Sequence, residues 1–354
     1  MRTRRTYYRR HQRTQRKKSL PIGQDKMSCS PIVESKRINN SSCLTPEILQ
    51  SIKVAFNKKN PTNSIKESDP TKIWWALKTR LDCQKEDCWL DTLFDRSMKE
   101  KIKQFIFAPK HPPEWKENPT EWLTNFDIEK VMKQYEISNP EFKFIGPTTI
   151  DFDTRPESWG GRCVLEDLCN FDLARFIRSK RTKIGIVLNL DKHYQGGSHW
   201  VSLYIDIHNK IIFFFDSADN PIPLEVYNKT ITPLKNSTKL PVTHLNRAPQ
   251  RGADSNLYRY KSDRGGMKPL VNRIIEQGHK EGIDFKFYTN QGNQHQKTNT
   301  ECGVYSLFFL ITMLTGKNPY MKGVMPMTGR IRLFMKKKIP DKMMIECRKI
   351  FYNE

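Results

Sequence analysis

A chain of 354 residues with a formal net charge of +23 is long enough to bury a full core and carries a large cationic excess. Its longest apolar stretch, residues 304–314, is interrupted by Ser306 and Thr312 and is too short to span a bilayer; no apolar signal-peptide run follows the charged N-terminus. Eight irregularly spaced cysteines do not read as a disulfide framework, so reduced thiols in a cytosolic or nuclear setting are expected.

In chain order, residues 1–18 carry nine Arg or Lys and no acid, a composition that cannot collapse on itself. A disordered basic tail is therefore expected over 1–20, able to bind nucleic acid non-specifically through counterion release. An N-terminal extension follows over 21–84. It holds a short amphipathic helix over 46–56 with Thr45 as its cap, and a second helical stretch from Asp69 to Cys83. Trp89 opens a third helix, with Leu90, Leu93, Phe94 and Met98 at helical spacing. Beyond the Pro-rich connection at 111–113, more helix reaches about Tyr135.

Strand signals begin at 142–145, followed by a helix over 165–177 and a buried strand over 184–190. Two β-rich runs, 199–206 and 211–216, flank His208-Asn209 and read as a hairpin. A strand over 285–289 leads through a Gln- and Asn-rich loop into an apolar helix that starts at Cys302 and stops at Gly316, with Pro319 beyond. The interval 218–284 reads as long and polar, and 321–354 as a basic C-terminal segment. The class is α+β: a central mixed sheet, a helix starting at Cys302 packed on it, and a helical extension in front.

The chemistry follows from the ends of these elements. A cysteine at a helix start meets unpaired N–H groups and the positive end of the helix dipole, which favour thiolate, the nucleophilic form. In the hairpin, His199 opens one strand and Asp216 closes its neighbour, so antiparallel pairing brings them within reach. Asp216 would hold one imidazole nitrogen and leave the other for the Cys302 proton. Gln296 lies in the loop that must curl toward the helix, where its amide and the Cys302 N–H could donate to an oxyanion. No metal or cofactor is needed; Cys83 with Cys88, or Cys163 with Cys169, lacks a second half-site for zinc. Rival bases are His193 and His295, the rival orienter is Asp219, and rival oxyanion donors are Gln291 and Gln294.

These residues carry a resemblance. The order His, Asp, Gln, Cys resembles that of the Ulp1-like (adenain-type) cysteine proteases, which include ubiquitin-like-protein proteases and maturation proteases of large DNA viruses. The matching motifs are Ser198-His199-Trp200-Val201, Phe215-Asp216-Ser217, Gln296 and Cys302-Gly303-Val304, with 17 residues from His to Asp and six from Gln to Cys. The likeness covers 85–320, the expected catalytic domain. Trp89-Leu90-Asp91 is similar to the family's Trp-Leu-Asn-Asp segment, and the general look is that of the giant-virus members.

The resemblance implies catalytic His199, Asp216 and Cys302, an oxyanion hole with Gln296, and a narrow channel walled by Trp89 and Trp200 that admits a Gly-Gly-like terminus. It implies a thiol endopeptidase acting on a protein substrate, either a viral structural polyprotein or a ubiquitin-like conjugate, in the virion and host cytoplasm and without a membrane. Alternatives are a SUMO-type deconjugating protease, a Cys-His acetyltransferase of related fold, and an inactive nucleic-acid-binding virion scaffold.

Overall fold

The computed structural model describes residues 27–83, 85–230 and 268–354. The expected basic tail, and within 218–284 the residues 231–267, lie outside the described residues.

Four helices come first: α1 (Pro46–Lys59), α2 (Pro70–Arg80), α3 (Glu86–Leu93) and α4 (Arg96–Ile106). Three of their starts are capped as short polar side chains dictate. Thr45 accepts from the Ile48 N–H, Asp69 from Lys72 and Asp95 from Met98. The Asp95 cap explains why the helix expected to run past Phe94 is broken there and restarts as α4. Leu49, Ile52, Leu77, Trp89, Leu90 and Ile106 share one apolar cluster. The border expected at 84/85 is therefore displaced: α3 and α4 close the same core as α1 and α2, which extends to Phe107.

Next come α5 (Asn125–Ser138), opened by a Thr124–Asp127 capping box, β1 (Phe142–Thr149), and the short α6 (Glu166–Cys169) and α7 (Leu173–Arg178). The single helix expected over 165–177 is split, because Asp172 caps a new start by accepting from the Arg175 N–H. β1 runs past its expected end through an irregularity at Gly146-Pro147. Gly146 has φ +97°, and a Cβ there would meet the Val187 carbonyl oxygen at 2.7 Å, so only glycine fits.

Strands β2 (Lys183–Asn189), β3 (Trp200–Asp206) and β4 (Ile211–Phe215), helix α8 (Leu270–Lys280) and strand β5 (Lys286–Thr289) complete the centre. The five strands lie in the order β1-β2-β3-β4-β5. The outer pairs are parallel and the inner two antiparallel, so the sheet is mixed as expected. Every residue of β3 and β4 is buried, because both faces are covered. Trp200, Tyr204, Phe213 and Phe215 face one layer, whereas Val201, Leu203, Ile212 and Phe214 face the other, which includes Ile274 of α8. Helix α8 was not expected; it falls inside the interval read as polar.

The first layer is built on α9 (Cys302–Thr315), buried along its whole length to Leu314 and ended by Gly316 in the left-handed conformation (φ 70°). Helices α10 (Met327–Lys336) and α11 (Asp341–Phe351) cover its outer side. Phe334, Ile339, Met344, Cys347 and Phe351 join the cluster that contains Cys302 and Tyr305. Residues 321–354, expected as a basic segment beyond the catalytic domain, are thus part of its core: their cations lie between apolar positions at helical spacing.

Three disulfides, Cys29–Cys43, Cys83–Cys88 and Cys163–Cys169, replace the expected set of reduced thiols and leave Cys302 and Cys347 free. The fold brings these pairs together where spacing alone gave no such signal. Among the described residues, no helix is long and apolar enough to cross a membrane.

Candidate active site

The hairpin sets the first pair. Ser202 of β3 pairs with Phe215 of β4, so His199, just before β3, and Asp216, just after β4, meet at one end of the ladder. The His199 Nε2 lies 2.6 Å from Asp216 Oδ1. That leaves Nδ1 for the Cys302 thiol, with which the ring also has a hydrogen-bonding contact. Burial alone would lower the affinity of this imidazole for a proton. The hydrogen bonds and negative charge of Asp216 and Cys302 outweigh it and push His199 up to about 10.

Asp216 is held from every side. Its Oδ1 also accepts from the Ala218 N–H at 2.8 Å, and its Oδ2 accepts from Asn220 N at 3.0 Å and Asn220 Nδ2 at 2.9 Å. Asn290, at the end of β5, grips the same residue's backbone: its Oδ1 accepts from Asp216 N at 3.0 Å and its Nδ2 donates to Asp216 O at 2.7 Å. Neither asparagine stood out in the sequence. Asn220 sits in the turn-like run after Asp216, a usable signal, but Asn290 had none, because it is 74 residues away.

Gln296 is brought alongside. Its N–H donates to the Ser217 carbonyl at 2.8 Å, its Oε1 accepts from Ser217 Oγ at 2.7 Å, and its Nε2 donates to the Thr298 carbonyl at 2.7 Å. A primary amide has two N–H bonds, and the Thr298 carbonyl takes one. No side chain caps the first turn of α9, so its N-terminal amides are not occupied by the usual Ser, Thr or Asp oxygen.

Trp200 lies beside this group. Its indole Nε1 donates to the Leu123 carbonyl at 3.0 Å, and its Cδ1 is 3.4 Å from where a Cβ on Gly303 would stand. Leu123 Cβ is closer still, at 3.0 Å from the same point. Glycine after the cysteine is thus what lets the indole and Leu123 close over the helix start.

The expected partner wall is not there. Trp89 is 1% exposed, packs against Trp74 and donates to the Cys83 carbonyl at 3.1 Å. It belongs to the core of the four N-terminal helices and shares no cluster with Trp200. An apolar face at helical spacing put it there.

The rival residues have other tasks. His193 pairs with Asp151 at 2.7 Å. The His295 ring lies between the Phe334 carbonyl and the Ile339 N–H, and burial pushes it down to about 4. Asp219 accepts from the Gly292 N–H, while Gln291 and Gln294 are exposed. Cys163, Glu166 and Cys169 lie close enough together to suggest a metal site, but the two sulfurs are bonded to each other.

No family model matches the chain. It is 25% identical over 296 residues, covering 78% of this chain and 82% of the relative, to a protein of Acanthamoeba polyphaga mimivirus named as a "Putative thiol protease". Proteins of two African swine fever virus isolates, named cysteine protease in one and SUMO-1 cysteine protease in the other, are 23% identical over 298 residues, 81% of this chain and 86% of theirs. The crystal structure of the African swine fever virus protease superposes with a TM-score of 0.52 at 20% identity, covering 92% of this chain and 95% of that one. The chain shares the fold of the African swine fever virus protease, and its sequence similarity to that protein and to the mimivirus relative supports a cysteine-type peptidase.

Proposed function

We propose that the enzyme hydrolyses peptide bonds that follow a small residue, of the Gly-Gly type, and that it matures structural polyproteins of a large DNA virus, acting in the virion and the host cytoplasm. The supporting observation is a single imidazole engaged by both the Asp216 carboxylate and the Cys302 thiol. In this reading His199 takes the Cys302 proton and the thiolate attacks the carbonyl. The oxyanion is received by the Cys302 N–H and the Gln296 amide. Protonated His199 then releases the amine, leaving a thioester. Water, deprotonated by the same imidazole, hydrolyses it and regenerates the thiol.

Trp200 would border the residue before the scissile bond, because its indole is fixed beside Cys302 by the Leu123 carbonyl and by Gly303. A bulky residue there would have to displace a packed indole, a steric loss of roughly 1–3 kcal/mol in transition-state binding. A second reading, processing of a SUMO-type conjugate, is favoured by the name of one relative.

The test is mass spectrometry of new N-termini after treating candidate viral structural proteins and SUMO conjugates with the full chain and with Cys302→Ala. Cleavage after small residues that is lost in the variant is expected. Equal acceptance of Phe or Arg before the cut overturns the small-residue specificity. Cutting of SUMO conjugates alone replaces the polyprotein with the second substrate.

A further inference from the structure

Glu301 stands directly before the cysteine, at the cap position of α9, yet its carboxylate makes no cap bond. It is turned to Arg348, which reaches in from α11. Arg348 Nε lies 2.9 Å from Glu301 Oε2 and Nη2 lies 3.1 Å from Oε1, a two-pronged pair with side chains 3% and 1% exposed. The same guanidinium donates to the Glu121 carbonyl at 2.7 Å, the Thr300 carbonyl at 3.2 Å and the Thr120 carbonyl at 3.3 Å. Its face lies 4.4 Å from the Trp115 ring centroid.

Two segments that border the cysteine are thereby tied to one planar cation. The first is the entry to α9. The second, around 120–123, ends in the Leu123 carbonyl that holds Trp200, the residue after His199.

A buried ion pair of this kind need not stabilise the fold, since well-packed apolar replacements are often neutral, whereas losing one partner strands a charge. Here the stranded charge would be the carboxylate of the residue at the cap position of α9, directly before Cys302 in the chain. We propose that Arg348 is a positioning residue for peptide cleavage: it takes both oxygens of Glu301 and ties the entry of α9 to the Thr120 and Glu121 carbonyls, keeping that carboxylate from closing over the first turn of α9. This rests on the reading of Cys302 as nucleophile.

The surrounding groups do not duplicate the role. From α11, Cys347 also faces Glu301, and burial pushes that thiol up to about 12. From α9, Tyr305 faces it too; its hydroxyl donates within 3.0 Å of Asp341 Oδ1, and burial raises it, so it stays neutral. The Thr300 hydroxyl donates to Glu301 Oε1 at 3.2 Å. On the sheet side, His199 faces Cys302 and is held in turn by Asp216.

The experiment is iodoacetamide labelling of the full chain across pH, resolved by residue, with peptide-cleavage kinetics and melting curves alongside. Arg348→Met should slow Cys302 labelling about tenfold at neutral pH. It should lower kcat with little change in KM. The double variant Arg348→Met with Glu301→Gln, which strands no charge, should label Cys302 at least several-fold faster than the single variant. If Arg348→Met does not fold, Glu301→Gln alone serves: its Cys302 should label no more slowly than wild type.

Unchanged labelling in Arg348→Met, a double variant no better than the single one, or slowed labelling in Glu301→Gln overturns the positioning role. A wild-type chain in which Cys302 labels no faster than Cys347 instead overturns the underlying assignment of the nucleophile.

Discussion

Asp216→Asn changes one atom and tests the orienting role directly. The wild-type carboxylate accepts four hydrogen bonds, from His199 Nε2, Ala218 N, Asn220 N and Asn220 Nδ2. An amide offers one oxygen where there were two. Whichever way it is turned, its NH2 faces a pair of donors, either His199 with Ala218 or both groups of Asn220. The charge-assisted bond to the imidazole is lost in the first orientation and weakened in the second. Losing one such bond and misfacing one donor amounts to about 3 kcal/mol, or roughly a hundredfold in kcat.

The pH dependence has a definite sign. His199 is pushed up from 6.5 to about 10 by Asp216 and Cys302. A proton held more tightly in the folded than in the unfolded state stabilises the fold fully below 6.5, and the contribution is lost as the pH rises through about 10. The melting-temperature gap between wild type and Asp216→Asn should therefore be wide at about pH 6 and narrow toward about pH 10. The alkaline limb of kcat/KM should move to lower pH in the variant. Stopped-flow peptide cleavage and scanning calorimetry across that range decide the matter. Unchanged kcat together with an unmoved alkaline limb would refute the idea that Asp216 governs the His199 proton.

Gly303→Ala opposes a helix-propensity gain of about 1 kcal/mol against overpacking of about 1–3 kcal/mol. Because the crowded neighbour is Leu123 Cβ at 3.0 Å, next to the backbone carbonyl that fixes Trp200, overpacking should win. A lower melting temperature and reduced kcat are expected, and a more stable, fully active variant would contradict this. Deleting residues 1–18 should remove most salt-sensitive nucleic-acid binding while sparing cleavage of a short peptide. Loss of peptide cleavage would mean that the tail supports the site instead.

The proximity of His199 and Asp216 was legible because a hairpin is a local object: a strand pattern, a turn and a second strand set who meets whom. The start of α9 was legible for a similar reason, a polar loop meeting an apolar run that ends at Gly316. Trp89 failed on the same kind of evidence, since an aromatic residue at helical spacing packs equally well into either of two cores. Arg348 was hidden by distance. It lies 47 residues from Glu301 and 227 from Glu121, inside a segment whose many cations masked the apolar stripe beneath them. Only the packing of α11 against α9 separates the one buried arginine from its solvated neighbours.

That packing also gives the enzyme a timetable. Synthesis runs from the N-terminus, so His199, Asp216 and Cys302 have all been made while Arg348 and Tyr352 are still to come. Until α10 and α11 have emerged, the apolar outer side of α9 has no cover and Glu301 has no cation. A chain still being translated thus carries His199, Asp216 and Cys302 before the Arg348–Glu301 pair and the outer cover of α9 can form, and that cover is added last.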